Sequence, residues 1–214
     1  DTLARYNAKA TFFVVGRQAA GNLPLLQAMV DAGHGVANHT YHHPMLTSLS
    51  LSRVDDEVIS TEGVLGALDH GCLRPPYGAA NKAVRAEAEA LGYTVVMWTI
   101  DPRDWARPGA GAIANHVIQR AKPNAIILLH DGGGDRTQTV AAVDTIVSTL
   151  SQQGYTFAAL CREGAPGLLV ADTPPAAAAP VGELAGDSLG EAPVASAAPV
   201  PQSQGAIFEP AAGA

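Results

Sequence analysis

The chain has 214 residues, of which 47% are hydrophobic and 15% are charged, a balance that suits one globular domain with a sizeable core. No apolar run is long enough to span a bilayer. The formal net charge is −7, but residues 172–214 hold five acids and no Lys or Arg, which leaves −2 for the rest. A nearly neutral body gives no electrostatic reason to expect binding to nucleic acid or to an anionic membrane.

Short apolar runs alternate with amphipathic segments along the first 160 residues. Strands are predicted at 10–15, 34–38, 72–73, 94–98, 125–129 and 155–160. Helices are predicted at 1–7, 22–32, 50–68, 81–91, 111–121 and 139–152. This alternation predicts parallel strands joined by helices, in a barrel or an open sheet. Six strands are few for a closed barrel, and the first helix begins part-way, so we expect the first strand and its loop to precede residue 1.

The composition changes after Gly167, and residues 172–214 consist mainly of Ala, Pro, Gly and Ser with scattered acids. Such a segment cannot bury enough apolar surface to offset its ordering entropy. We therefore predict a folded domain over residues 1–167 and a disordered tail over residues 168–214. The two cysteines, Cys72 and Cys161, have a spacing that fits neither a zinc ribbon nor a redox pair. We expect buried thiols rather than a disulfide, although export of the protein would favour the disulfide.

Three of the seven histidines lie within residues 38–44 (NHTYHHP). His39 and His43 are four residues apart, so on one helical turn both imidazoles would face the same side. Two such imidazoles form half of a site for a divalent cation, zinc first. Pro44 would end the turn, and His42 would point elsewhere, to an outer position or to solvent. The alternative is a polar loop with coincidental histidines. Three others are expected to be ordinary loop or helix residues: His34, His70 and His116.

Three more clusters follow predicted strands. Residues 74–78 (RPPYG) form a stiff turn that can present Arg74 and a backbone N–H. Residues 101–105 (DPRDW) place two acids and an indole after a strand end. In residues 128–131 (LLHD), His130 emerges from a buried strand and suits acid/base chemistry. Each cluster alone is also compatible with a turn, a surface loop or a structural histidine, but active sites of α/β barrels are built after the carboxyl ends of strands.

Five segments together resemble the polysaccharide deacetylases, carbohydrate esterase family four, also called the NodB-homology domain. The matching segments are 10–16 (ATFFVVG), 39–44 (HTYHHP), 74–78 (RPPYG), 101–105 (DPRDW) and 128–130 (LLH). Together they cover roughly residues 8–160, in the order that the family has. The resemblance implies an α/β fold, a distorted (β/α)7-type barrel that here lacks its first strand.

The resemblance also implies a site. It implies zinc or another divalent transition metal, held by His39, His43 and an aspartate. That aspartate belongs to a Thr-Phe-Asp-Asp-Gly segment, which also supplies the general base. This sequence has no such segment. His130 would protonate the departing amine, Asp104 would hold the His130 tautomer, and Arg74 would orient the base. Further roles implied by the resemblance are an oxyanion contact from the Tyr77 backbone N–H and a substrate pocket lined by Tyr77, Trp105 and Leu128.

The implied reaction is metal-dependent hydrolysis of N-acetyl groups from an acetylated amino-sugar polymer, peptidoglycan or chitin-like, with release of acetate. Because the base and one ligand are missing, we expect residues 1–214 alone to bind metal weakly and to turn over little. The alternatives are a non-catalytic carbohydrate-binding or interaction module on a degenerate barrel and an esterase for acetylated xylan. The polysaccharide is the expected partner, and a monomer outside the cell or at the cell wall is expected.

Overall fold

A computed structural model describes residues 2–161, so the predicted tail at 168–214 lies outside the described residues. Four short strands form one parallel sheet in the order β1-β2-β3-β4. They are β1 (Thr11–Val14), β2 (Gly35–Asn38), β3 (Cys72–Leu73) and β4 (Thr94–Val95). In the register of the sheet Val14 lies beside Asn38, and Asn38 lies beside Leu73. The first residues after β2 and after β3 therefore emerge next to each other.

Seven α-helices are described, and all except α2, which was not predicted, overlap a predicted helix. They are α1 (Thr2–Arg5), α2 (Gly16–Ala19), α3 (Leu23–Asp31), α4 (Leu51–Leu65), α5 (Lys82–Ala90), α6 (Ala110–Arg120) and α7 (Thr137–Gln152). Helix α5 begins as predicted, because the Asn81 side chain accepts a hydrogen bond from the Val84 N–H at 2.9 Å. Within residues 2–161, the helices are too short or too polar to cross a membrane.

The sheet is buried on both faces, as its parallel strands require. On one face Phe12 packs in a core with α6 and α7, and Leu73 and Val95 pack in a second core with α4 and α5. On the other face Phe13 and Ala37 belong to a smaller cluster that includes both cysteines. Successive residues of a strand thus point to opposite cores, which explains why these runs are apolar throughout.

Two predicted strands are wrong. Residues 125–129 contribute one parallel bridge, between Ile100 and Ile127, and residues 155–160 form no strand. Both runs are extended segments without a continuous ladder, and residues 155–160 are fixed by isolated bonds such as Thr11 Oγ1 to the Leu160 carbonyl at 2.7 Å. Between them and β1 lies a largely apolar cavity of about 450 Å³. The α/β class and the parallel sheet are confirmed, whereas the distorted (β/α)7-type barrel without its first strand is not.

Cys72 and Cys161 form a disulfide with their Cα atoms 5.8 Å apart, so the expectation of two thiols is wrong. The reason is the path of residues 158–161 across the face of the sheet that carries Phe13 and Ala37. A Cβ on Gly35 would lie 2.4 Å from the Leu160 carbonyl oxygen, so this close crossing requires glycine in β2. The crossing brings Cys161 next to Cys72 in β3. The two cysteines are 89 residues apart in the sequence, so the sequence does not reveal this contact.

Candidate active site

The first part of the site is the loop that follows β2. His39 and His43 do not lie on a helical turn, because Thr40 and His43 both adopt the left-handed region, each with φ of 67°. The Asn38 side chain accepts from the Thr40 N–H at 2.9 Å, and the Thr40 hydroxyl accepts from the His43 N–H at 3.1 Å. Such local bonds compete with helical bonds, so the predicted helical turn is replaced by a folded loop.

This loop still brings the two imidazoles together. The ring centroids of His39 and His43 are 4.9 Å apart, and both side chains are buried. His39 Nδ1 lies 2.5 Å from the Arg74 carbonyl oxygen, which can only accept, so Nδ1 carries the proton and Nε2 keeps its lone pair. Within residues 2–161, neither His39 Nε2 nor His43 Nε2 has a hydrogen-bond partner.

Both imidazoles are neutral at neutral pH. Burial lowers the pKa of His39, and the neighbouring His43 lowers it further. Burial likewise lowers the pKa of His43 to about 4. A neutral imidazole is the form that binds a metal, so protons do not compete for these two nitrogen atoms. Among the described residues, however, no group of three or more His, Cys, Asp and Glu side chains is arranged to hold an ion.

The second part is the turn after β3. Tyr77 and Gly78 are both left-handed, with φ of 58° and 67°, and the Tyr77 ring lies 4.8 Å from the His43 ring. A Cβ on Gly78 would meet the Trp98 ring at 2.9 Å, so the turn packs directly on this indole. The structure thus places Tyr77 beside the predicted metal ligands.

Arg74 lies beneath the same turn and is fully enclosed. Its guanidinium carbon is 4.0 Å from the centroid of the Phe13 ring, and Nε donates to the Val96 carbonyl at 3.3 Å. Its Nη1 atom is buried without a partner in the described part of the chain. Burial lowers the pKa of Arg74 to about 9, so the group remains a cation at neutral pH. The side chain borders the cavity beside β1.

The third part is a buried pair of His130 and Asp104. The His130 Nδ1 and Asp104 Oδ1 atoms are 2.6 Å apart, and Asp104 Oδ2 accepts from the His130 backbone N–H and from the Thr139 hydroxyl, each at 2.8 Å. Burial alone would raise the pKa of Asp104, but the bonds from His130 and Thr139 lower it below 3.8. Asp104 is therefore a carboxylate that fixes a proton on Nδ1 and leaves Nε2 of His130 as the working atom. This Nε2 atom is buried and has no hydrogen-bond partner among the residues that the structure describes.

His130 acts electrostatically on the two other imidazoles. After burial, which has the largest effect on each, a positive charge on His130 is among the causes that lower the pKa of His39 and of His43. The three rings therefore lie within electrostatic reach of one another, and a common site at the strand ends stays a prediction.

The two predicted pocket residues differ in environment. Leu128 is buried, whereas Trp105 is exposed on a short turn next to Asp104. The Trp105 ring stacks with the Arg103 guanidinium, whose carbon lies 5.0 Å from the ring centroid. Their roles in binding substrate stay predictions.

Sequence reasoning missed two residues of the site. Thr139 is separated from Asp104 by 35 positions, and no sequence signal connects them. Glu57 is buried and bonds to the loop after β2. A signal for it exists, because Glu57 follows Val54 by three residues and precedes Val58 and Thr61 on the buried stripe of α4. An acid in such a stripe indicates a specific polar contact.

Comparison with known proteins identifies a family for this chain. A family model described as polysaccharide deacetylase matches residues 1–96. The chain is 40% identical over 161 residues to a peptidoglycan-N-acetylglucosamine deacetylase of Bacillus cereus, and the match covers 73% of this chain and 76% of that protein.

Two solved structures have similar folds. One is a family 4 carbohydrate esterase from Streptomyces lividans in complex with acetate, with a TM-score of 0.66, 36% identity, and coverage of 73% of this chain and 81% of that one. The other is a family 4 pseudoenzyme from Bacillus anthracis, with a TM-score of 0.68, 31% identity, and coverage of 74% and 56%. On the strength of the extensive match to the Bacillus cereus protein, the chain belongs to the polysaccharide deacetylase family, carbohydrate esterase family 4.

Proposed function

We propose that this chain carries the acid half of a site that hydrolyses N-acetyl groups on an amino-sugar polymer, peptidoglycan or chitin-like, and releases acetate. The observation that carries the proposal is the buried His130–Asp104 pair, which lies within electrostatic reach of His39 and His43. Within residues 2–161, the Nε2 atoms of these two imidazoles have no hydrogen-bond partner. The name of the Bacillus cereus relative supports an acetylated glucosamine polymer as substrate.

In this reaction His130 Nε2 gives a proton to the departing sugar amine. Asp104 holds the ring in the required tautomer and stabilises the imidazolium, as a carboxylate does for a catalytic histidine. The Tyr77 backbone N–H, held by the turn on Trp98, donates to the developing oxyanion. Trp105 and Leu128 contact the sugar and the acetyl methyl group.

The residues present fit a divalent cation, zinc or a similar transition metal, because two buried neutral imidazoles offer Nε2 atoms that have no partner in the described part of the chain. His39 and His43 would hold it. When bound, such an ion polarises the acetyl carbonyl and lowers the pKa of bound water. Hydrolytic zinc sites use three protein ligands, so we expect two imidazoles alone to bind weakly.

The test compares two chains: residues 1–214, and the same residues preceded by a family Thr-Phe-Asp-Asp-Gly segment. We expect the extension to tighten zinc binding by about 100-fold and to produce acetate from an N-acetylated chito-oligosaccharide or from peptidoglycan. The substitution His130→Ala in the extended chain should then lower kcat by about 10²- to 10⁴-fold. Rapid acetate release by residues 1–214 alone would contradict the role given to the missing segment.

A second candidate function is non-catalytic binding of carbohydrate. The observation in its favour is that a family 4 pseudoenzyme has a TM-score of 0.68 with this chain. Binding of the polymer by the extended chain, without release of acetate, would establish this alternative. Release of acetate from acetylated xylan but not from the N-acetylated polymers would instead indicate an esterase.

The proposed site of action is outside the cytoplasm, at the cell wall or beyond. The Cys72–Cys161 disulfide supports this proposal, because disulfides persist in oxidising compartments and are rare in the cytosol.

A further inference from the structure

The loop that carries His39 and His43 is held in a conformation that its residues do not favour. Thr40 and His43 are β-branched or bulky side chains at φ of 67°, a region such residues adopt only when surrounding structure fixes them. The loop therefore needs anchors in addition to its own bonds.

One anchor is a carboxylate from a different element. Glu57 of α4 is 9% exposed, and its Oε2 atom accepts from two successive backbone N–H groups, those of Tyr41 at 2.9 Å and His42 at 2.7 Å. Its Oε1 atom lies 2.8 Å from His42 Nδ1. Hydrogen bonds that an ionised carboxylate accepts from backbone N–H groups are stronger than bonds between neutral groups.

The two amides lie between the two imidazoles in the sequence. A group that fixes Tyr41 and His42 therefore fixes where the chain leaves His39 and where it enters His43. The His39 ring has a second fixed point, the Arg74 carbonyl, but that bond forms only if the loop delivers the ring to it.

We propose that Glu57 is a positioning residue, which binds the Tyr41 and His42 amides and thereby sets the relative placement of the His39 and His43 rings. Its importance for catalysis rests on the proposed function, but the placement itself does not. The two can therefore be tested separately.

The first measurement uses the metal-free chain of residues 1–214 and long-range ¹H–¹⁵N spectra of the imidazoles. In the wild type we expect His39 to be the Nδ1–H tautomer with a slowly exchanging proton, because that proton is bonded to the Arg74 carbonyl. The substitution Glu57→Ala should abolish this signature. Glu57→Gln keeps an oxygen acceptor for both amides and should retain it.

Two controls separate positioning from general stability. Glu62→Ala removes an exposed carboxylate from the same helix and should change nothing. Val54→Ala opens the buried core one turn before Glu57 and should lower the melting temperature while the His39 signature remains. If Glu57→Ala does not fold, Glu57→Asp, which withdraws the carboxylate by one methylene, replaces it.

The second measurement is zinc titration of the chain extended by the Thr-Phe-Asp-Asp-Gly segment. Glu57→Ala should weaken binding by about 10-fold or more, and Glu57→Gln by much less. An unchanged His39 tautomer in Glu57→Ala, or its equal loss in Val54→Ala, would overturn the proposal. Failure of every chain to bind zinc would count against the proposed function, while the metal-free spectra would still decide the role of Glu57.

Discussion

Asp104 accepts hydrogen bonds from the His130 ring, the His130 backbone and Thr139, and all three come from residues far along the chain. A carboxylate that is fully bonded in this way gains more from being ionised than it loses by burial, so its pKa falls. The same bonds decide which nitrogen of His130 carries the proton. The same hydrogen bonds therefore keep Asp104 ionised and hold His130 in its orientation.

This property predicts how stability depends on pH. Because the pKa of Asp104 in the folded state lies below its ordinary value of 3.8, its stabilising contribution is present above pH 3.8 and is lost as the pH falls below it. We expect Asp104→Asn to remove this part of the acid sensitivity. Urea unfolding at pH 6 and pH 3 measures the difference. Asp56→Asn, which changes an exposed carboxylate, is the control. An equal loss of unfolding free energy between pH 6 and pH 3 in both variants would contradict the prediction.

For Arg74 we predict that removal of the charged group increases the stability of residues 1–214. A buried cation whose Nη1 has no partner in the described residues costs desolvation energy that nothing repays in full. We expect Arg74→Met in residues 1–214 to raise the free energy of unfolding by about 1 kcal/mol.

In a chain that provides a carboxylate beside Arg74, the same substitution should instead lower the free energy of unfolding by about 3 kcal/mol. Denaturant titration of both chains, with and without the Thr-Phe-Asp-Asp-Gly segment, gives the comparison. A loss of stability in both would indicate that Arg74 is already satisfied by Phe13 and the Val96 carbonyl.

At the level of elements, helices and the first two strands follow from local signals. Helix α5 has a capping Asn81 and ends before Gly92, and the apolar runs of β1 and β2 are enclosed on both sides. The loop after β2 could not be predicted in the same way. The spacing of four residues correctly predicted that His39 and His43 lie together, but it did so for the wrong reason. The side chains of Asn38 and Thr40 bond to the loop backbone, so no helical turn forms.

The strands predicted at 125–129 and 155–160 fail for a different reason. Apolar composition favours burial of a segment, but a β-ladder also requires a neighbouring strand at hydrogen-bonding distance. Ile127 finds one partner in Ile100, and residues 155–160 lie along β1 with scattered bonds around the cavity. Only Leu128, Leu129 and Ala159 of these two runs are buried, so apolar composition predicted neither the burial of the whole segments nor their pairing.

The crossing of residues 158–161 over β2 gives a prediction about one glycine. In Gly35→Ala the new Cβ would meet backbone oxygen atoms of Leu160 and Cys161 at 2.4 and 3.0 Å, and backbone cannot rotate away as a side chain can. We expect a loss of about 2 kcal/mol in the free energy of unfolding, from thermal or urea denaturation. Gly21→Ala, where nothing lies within 4 Å, should be close to neutral.

For the molecule as a whole, the disulfide closes a loop of 89 residues that contains most of the site. Loop-closure entropy predicts that removing it by Cys72→Ala with Cys161→Ala lowers the free energy of unfolding by about 4 kcal/mol. Guanidinium unfolding of the wild type, with and without reductant, should show the same shift. Reductant should leave the double variant unaffected, and a shift there would show that reduction acts elsewhere.

That long connection also orders events during biosynthesis. Cys72 leaves the ribosome well before Cys161, and at ordinary elongation speeds several seconds pass before its partner is available. In that interval the thiol on β3 is open to mixed disulfides with glutathione or with another nascent chain. The native bond can therefore form only once Cys161 has also emerged, so the oxidant that makes it must act late in synthesis or after it.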